Sequence, residues 1–374
     1  MKKIVGIIAA AALAASAFAE INISSWNRAV FTPFHYDGDT LRSMTGPSWG
    51  VSNGGQTRSG LSFGASTENA GIAIDVHAEN FGPGDNANVW VKPVDMLSVK
   101  IGLIDNNWGR LDHCFGTWDY ARFNWGDAYL GEGLGDIGRK KGRGAEITLQ
   151  PVEGLVIDYE ANFGSDNHTY EVMWENSSTM IGYKADFGFI RAIINGETAR
   201  AYGDASDTSP AASIALAADI TAVENLVLKF GVKVPTYLQN EDAYVNGVAA
   251  VDYNLDALAL HANAVLNVLP KKYEDKKATL GNIGAAFGVG LDYAFTDAWK
   301  LVSEFRFKTW TKKNDVDKSD IKLEDPAFGA YVGLQQQLSN ATFAFGAQFG
   351  KRSMTAAKAD DFTFAVPLTI TASF

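Results

Sequence analysis

The chain ends on Phe362-Thr363-Phe364-Ala365-Val366-Pro367-Leu368-Thr369-Ile370-Thr371-Ala372-Ser373-Phe374, and this stretch decides the fold. Phe364, Val366, Leu368, Ile370, Ala372 and Phe374 are apolar, whereas Thr363, Ala365, Pro367, Thr369, Thr371 and Ser373 are small or polar. A period of two puts the two sets on opposite faces of a β-strand. A terminal strand with one wholly apolar face and an aromatic last residue is rarely left at the end of a water-soluble domain.

Working back from this strand, the same alternation recurs in pairs joined by a short acidic turn. Lys92-Pro93-Val94-Asp95-Met96-Leu97, Gln150-Pro151-Val152-Glu153-Gly154-Leu155, Thr221-Ala222-Val223-Glu224-Asn225-Leu226 and Ala294-Phe295-Thr296-Asp297-Ala298-Trp299 are four such turns. Each leads into an alternating segment whose charges fall mostly on one face, so the repeating unit is a hairpin rather than a duplicated domain. Much longer polar segments separate the hairpins, at residues 33–58, 105–143, 198–210, 235–246, 270–282, 311–326 and 351–361. Short turns at one end and long loops at the other are the asymmetry of a transmembrane β-barrel.

Composition fits once the order of residues is taken into account. The 374 residues are 47% apolar, 20% charged and 12% aromatic, with 37 Gly and one Cys. These figures exclude a disordered chain, many membrane helices, an internal disulfide framework and a Cys-based zinc site. In a membrane barrel the apolar residues face lipid and the polar ones face the interior, so hydropathy averages out along each strand. Glycines at 64, 102, 182, 231, 288 and 290 suit close packing around a curved wall. Trp26, Trp90, Trp174, Trp299 and Trp310 are expected at the lipid headgroups.

At the other end, Met1-Lys2-Lys3, an uncharged run over residues 4–15 and Ala17-Phe18-Ala19 predict a cleaved signal peptide over residues 1–19. Removing it takes away two lysines and no acid, which turns the formal net charge from -11 to -13 and disfavours nucleic acid as a partner. Residues 20–374 then read as a single all-β domain, a closed antiparallel transmembrane barrel with short periplasmic turns and long outer loops. The count is 18 strands, or 16 if the pair between residues 169 and 196 is absent; either is even, as a closed single-chain barrel with both termini on one side requires.

With the signal peptide, the hairpin organisation and the Phe364-x-Val366-x-Leu368-x-Ile370-x-Ala372-x-Phe374 pattern in view, the chain resembles the outer-membrane porins of diderm bacteria. The resemblance covers residues 20–374 and implies a multi-pass β-barrel in the cell outer membrane, in contact with its lipid. It also implies that Phe364, Val366, Leu368, Ile370 and Phe374 form the assembly signal presented to the barrel-insertion machinery. In porins similar to this one the third outer loop folds into the lumen, which makes residues 105–143 the expected constriction loop. That segment carries Arg110, Asp112, Asp119, Arg122, Asp127 and Glu132, together with Trp108, Trp118 and Trp125. Charges of both signs in a narrow, partly dehydrated passage act strongly on ions.

Alternation also assigns lumen-facing positions. Asp75, Glu79, Glu146, Asp158 and Glu160 point inward from the early strands, with Lys92 and Lys100 among them; Lys229, Lys233, Lys300, Arg306 and Lys308 point inward from later ones, opposed by Glu304 and Asp292. The expected result is a transverse field, acidic on one wall and basic on the other. Other patterns carry little. Gly133-Leu134-Gly135-Asp136-Ile137-Gly138 has no strand-turn-helix around it, the five His residues have no ligand spacing, and Asp112-His113-Cys114 places neighbours that point apart. No cofactor, metal or catalytic set is expected. The function that follows is a porin for passive diffusion of small hydrophilic solutes and ions. The alternatives are a substrate-selective channel, for instance for sugars stacking on Trp108, Trp118 and Trp125, and a barrel enzyme or adhesin. Alternation does not distinguish a lipid-facing surface from a subunit interface, so it also allows a homotrimer.

Overall fold

The C-terminal alternation is a strand in a computed structural model of the chain, which describes residues 20–44, 58–77, 82–106, 108–109, 137, 141–162, 170–201, 204–236, 245–268, 283–313, 321–323, 327–351 and 361–374. The first strands are β1 (Glu20–Tyr36), β2 (Leu41–Met44), β3 (Arg58–Ser66), β4 (Ala70–His77), β5 (Gly82–Val94), β6 (Leu97–Asp105), β7 (Lys141–Leu149) and β8 (Leu155–Asn162). A six-residue helix, α1 (Tyr170–Glu175), precedes β9 (Ser177–Ala185), β10 (Gly188–Ala201), β11 (Asp204–Ile220), β12 (Leu226–Pro235), β13 (Val245–Leu255) and β14 (Leu258–Val268). Then follow β15 (Ile283–Ala294), β16 (Trp299–Lys313), β17 (Ile321–Leu323), β18 (Ala327–Gln337), β19 (Ala341–Lys351) and β20 (Phe362–Ser373).

All but β2 and β17 form one closed antiparallel wall of 18 strands. Neighbours in sequence pair in turn, and β1 closes the ring against β20, with Trp26 opposite Ser373 and Tyr36 opposite Phe364. Closure is completed by backbone bonds from Ser25 N to Phe374 O at 2.6 Å and from Phe374 N to Ser25 O at 2.9 Å. Closed pairing satisfies the backbone without water, which lets a sheet stand in hydrocarbon. The hairpin of β9 and β10, with Gly188 opposite Ala185, is the pair on which the count of 18 or 16 turned, and 18 is the result.

Burial along each strand follows the alternation. On β11, Ile214 and Leu216 are exposed whereas Ser213, Ala215 and Ala217 are buried. Val89 and Val91 of β5, Ile101 of β6, Ile190 of β10, Phe230 of β12, Val289 of β15 and Ile370 of β20 continue the exposed apolar surface around the ring. A band of large apolar side chains around a whole molecule is stable only against lipid or other apolar surface. Phenylalanines reinforce it: Phe287 stacks on Phe307 with centroids 4.9 Å apart, and Phe305 on Phe328 at 6.3 Å.

Two prolines mark the seam. Pro367 has no N–H for the ladder, and pairing of β20 with β19 stops at Phe345↔Leu368 and resumes at Gln348↔Ala365. On the other side β1 carries Pro33, and its register with β20 shifts between Phe31 and Phe34. Each interruption falls at a proline, where one strand lacks a donor in any case, so a break in the ladder costs little there.

Several expected loops are shorter than the polarity of the sequence suggested. Residues 198–210 are mostly strand, with Thr198 opposite Pro210 and Arg200 opposite Thr208. Residues 33–36 belong to β1, with β2 paired beside them, and β16 runs to Lys313 against β17. In these ribbons backbone pairing extends the strands past the end of the apolar alternation. The segment expected at 105–143 likewise narrows to residues 106–140, because Asp105 closes β6 and Lys141–Leu149 is β7.

The expected tryptophan girdle also needs correction. Trp26 and Trp90 point inward, each lying flat over a glycine of the next strand: a Cβ on Gly60 would come within 2.3 Å of the Trp26 ring, and one on Gly71 within 2.6 Å of the Trp90 ring. Arg28 stands 4.6 Å over Trp26, and His77 meets its edge at 5.6 Å. Trp174 sits on α1, not on a strand, and donates from Nε1 to Ala211 O at 2.6 Å. The side chain of Trp310 lies outside the described residues.

Candidate functional site in the barrel interior

The inward faces of β6, β7 and β8 form an acidic wall. Lys100 Nζ bonds Glu146 Oε1, and Glu146 stands in register with Glu160. Glu160 is completely buried and accepts from two neutral amides, Asn162 Nδ2 at 2.8 Å and Asn106 Nδ2. Asp158, also buried, is bonded by the Thr148 hydroxyl on β7. Asp75, on β4, accepts from Asn86 Nδ2 at 3.4 Å. Among the described residues, Lys100 is bonded to Glu146, Lys184 lies near Asp158, and neutral groups supply the bonds to Glu160.

The opposite wall is built differently from what the sequence suggested. Arg191 pairs with Asp219 at 2.7 Å, Lys233 with Glu197 at 2.6 Å, Lys300 with Asp292 at 3.2 Å, and Arg306 Nε donates to Glu304 Oε1. His261 joins Asp252 to this set, with Nδ1 and Oδ1 2.6 Å apart. Lys229 lies across the ladder from Asp219. The expected opposition by Glu304 and Asp292 alone is therefore incomplete: Glu197, Asp219 and Asp252 join them, and the basic wall is neutralised close to pair by pair. Asymmetry survives in reduced form, acidic on one side and balanced on the other. The Lys308 side chain and Glu79 lie outside the described residues.

Between the two walls comes the start and end of the 106–140 segment. Asn106 reaches Glu160 on β8, and Arg191 on β10 donates from Nε to the carbonyl oxygen of Trp108. Ile137 N donates to Gly109 O at 3.0 Å, so the two ends of the segment are tied together. Ile137 is fully buried in a cluster with Met180, Ile193, Ala215, Ala217, Val248 and Val265, against which Trp108 packs. Every wall residue of that cluster belongs to the inward set of β9, β10, β11, β13 or β14. The described ends of the segment therefore lie inside the barrel, on an apolar patch of an otherwise polar wall. Arg110, Asp112, Asp119, Arg122, Asp127, Glu132, Trp118 and Trp125 lie outside the described residues.

Arg191, Asn106, Asn162 and Ile137 were not singled out by the sequence reading, although three of them carry a legible signal. Arg191 shares a parity with the inward set once β10 is recognised as a strand, Asn106 continues that of Lys100 past the end of β6, and Asn162 continues the parity of Asp158 and Glu160. Ile137 had no such signal, because an isolated apolar residue in a polar segment has no period. Above the barrel, Asp37 follows β1 and accepts from the amides of Thr40 at 2.7 Å and Asp39 at 3.0 Å, with Arg42 at 3.0 Å. Those two amides, and then Arg42, hold its carboxyl below the usual carboxylate range.

A closed 18-strand antiparallel wall with an apolar exterior and a charged interior defines an outer-membrane porin-type fold, a multi-pass membrane β-barrel. Among solved structures, OpdL of Pseudomonas aeruginosa is similar over 95% of this chain and 99% of its own, at 9% identity and a TM-score of 0.50. OccK11 (OpdR) of the same organism matches over 95% and 96% at 9% identity and a TM-score of 0.49, and a variant of the Rh. blastica porin over 95% and 100% at 14% and 0.47. No protein-family model matches the chain, and no curated protein matches it. At this identity the likeness concerns the fold.

Proposed function

We propose that the protein is an outer-membrane porin, a water-filled channel for passive diffusion of small hydrophilic solutes and ions, with residues 106–140 as its constriction. The carrying observation is the anchoring of that segment on the inner wall through Arg191, Glu160 and the Ile137 cluster. A barrel whose interior is lined by charged pairs retains water, and a segment fixed across it sets the width of the passage. Trp108 packs against the apolar cluster, so its ring serves anchoring, which weakens the case for a sugar-stacking track. Homotrimeric assembly and contact with the barrel-insertion machinery through Phe374 belong to the same reading.

The test is single-channel conductance of the refolded protein in planar bilayers, paired with swelling of loaded liposomes in neutral sugars of increasing size. Open steps with a sharp size limit are expected. A folded barrel that passes neither ions nor sugar would overturn the reading in favour of an enzyme or adhesin.

A further inference from the structure

The outer surface of the wall is uneven. Across β10 to β15 it carries an apolar depression of about 750 Å³. The floor is made of small residues, Gly247 and Ala249 on β13, Ala264 on β14 and Ala285 on β15, and Phe230 and Phe287 stand at the rim. Register explains the shape. Phe230, Ala249, Ala264, Phe287, Phe307 and Phe328 lie opposite one another in successive ladders from β12 to β18, so a single row passes from a dip into a ridge. The rings of the ridge brace one another, Phe307 on Phe287 at 4.9 Å and Phe328 on Phe305 at 6.3 Å.

In a bilayer an apolar surface gains nothing by leaving acyl chains for another apolar surface. Association there comes from close packing of rigid shapes, and small residues let backbones approach. A hollow floored by Gly and Ala beside a braced aromatic ridge meets that requirement. Both shapes belong to one chain, so a second copy brings the ridge that the hollow lacks. The hollow is centred on β13 and the ridge on β16, three strands apart in a wall of 18. Three such strands turn the wall through about 60°, and hollow-to-ridge contacts at that angle close a ring of three.

The area is sufficient. Ile190, Leu216, Phe230, Val234, Leu266 and Phe287 are 43–54% exposed around the hollow. With the small residues between them, that side offers on the order of 600 Å², and an equal share from the ridge brings one contact to about 1,200 Å², where stable interfaces begin.

We propose that the depression on β10–β15 receives the ridge around Phe307 of a second copy, and that three copies close into a ring through this contact. The inference rests on the homotrimeric assembly of the reading above and names the surface that makes it.

The experiment measures the mass of the refolded full chain in detergent by sedimentation, with conductance recorded on the same samples. The unaltered protein should sediment as a trimer. Ala249→Trp fills the hollow from outside, and Phe307→Ala flattens the ridge; each should give monomers at the concentration where the unaltered protein is trimeric. Both positions face away from the interior, and heat-modified electrophoretic mobility reports whether the barrel is folded. Val89→Trp, on the exposed face of β5 across the ring, should leave the trimer intact. A trimer that survives both Ala249→Trp and Phe307→Ala, or one that Val89→Trp dissociates equally, would overturn this interface while the trimer stands. An unaltered protein that is monomeric would overturn the interface and the trimer together, leaving the hollow to lipid. Conductance separates the levels: a conducting monomer leaves the channel reading in place, and a non-conducting trimer that both substitutions dissociate supports the interface and overturns the channel alone.

Discussion

Arg191 donates from its guanidinium to the carbonyl oxygen of Trp108, which ties a segment leaving β6 to the far wall at β10. The same guanidinium pairs with Asp219, so one side chain fixes the segment and neutralises the wall. Replacing it with Ala leaves a half-buried carbonyl and a partly exposed carboxylate without their donor, a cost of about 1 kcal/mol. Arg191→Ala should raise single-channel conductance and its noise while the barrel stays folded. Unchanged conductance would show that the segment does not set the width.

Ile137 offers an independent handle on the same contact. Truncation of a fully buried Ile to Ala costs about 2–4 kcal/mol, through lost transfer energy and the cavity left behind. Because the cluster joins a segment to an already closed wall, that loss falls on docking rather than on the barrel. Ile137→Ala should make the 106–140 segment more susceptible to added protease, with the heat-modified electrophoretic mobility of the barrel unaltered.

Gly60 is the seat of Trp26. A Cβ at this position would overlap the indole, so Gly60→Val must displace the ring from His77 and Arg28 into the interior. The expected readouts are a shift in tryptophan emission and reduced conductance. Trp26→Phe in the same background should restore part of the conductance, since the smaller ring fits beside the valine.

Asp37 gives the turn after β1 a pH dependence of known sign. Its carboxyl titrates lower in the folded turn than in an open one, so its contribution is complete above the ordinary carboxylate value and is lost as pH falls through the lowered one. Protease nicking between β1 and β3 should rise on acidification through that range. Asp37→Asn should show raised nicking at neutral pH and a flatter profile; an unchanged slope would exclude Asp37 as the group responsible.

Phe374 separates assembly from stability. Its contribution to closure comes from the backbone, through the paired bonds with Ser25, while its side chain is 69% exposed. Phe374→Ala should refold in detergent as well as the unaltered protein yet accumulate less in the outer membrane of cells. Equal loss in both settings would assign the residue to stability instead.

The outer half of this protein was legible because lipid imposes a simple rule on it. Ile21, Ile23, Val89, Val91 and Ile101 had to face hydrocarbon, and a period of two then assigned every neighbour to the other face. The rule even contained the positions of Trp26 and Trp90: each sits between outward residues and is therefore inward, although aromatic composition suggested the headgroups. Strand ends were less legible. Residues 198–210 carry no run of alternating large apolar residues, so in sequence a strand and a loop look alike there.

The sequence by itself thus determined the closed antiparallel barrel and the hairpin repeat, and it assigned Asp158, Glu160, Lys229, Lys233, Lys300 and Arg306 to the face opposite the apolar one. What alternation could not supply was who meets whom across the interior. That Lys233 finds Glu197, that Arg191 holds both Asp219 and Trp108, and that Ile137 settles on Met180 and Ile193 depend on closure of the ring and on a segment folding back into it. Faces are set by local solvent, one residue at a time, and can be read along the chain. Pairings inside a barrel join residues far apart in sequence, and only the tertiary structure decides them.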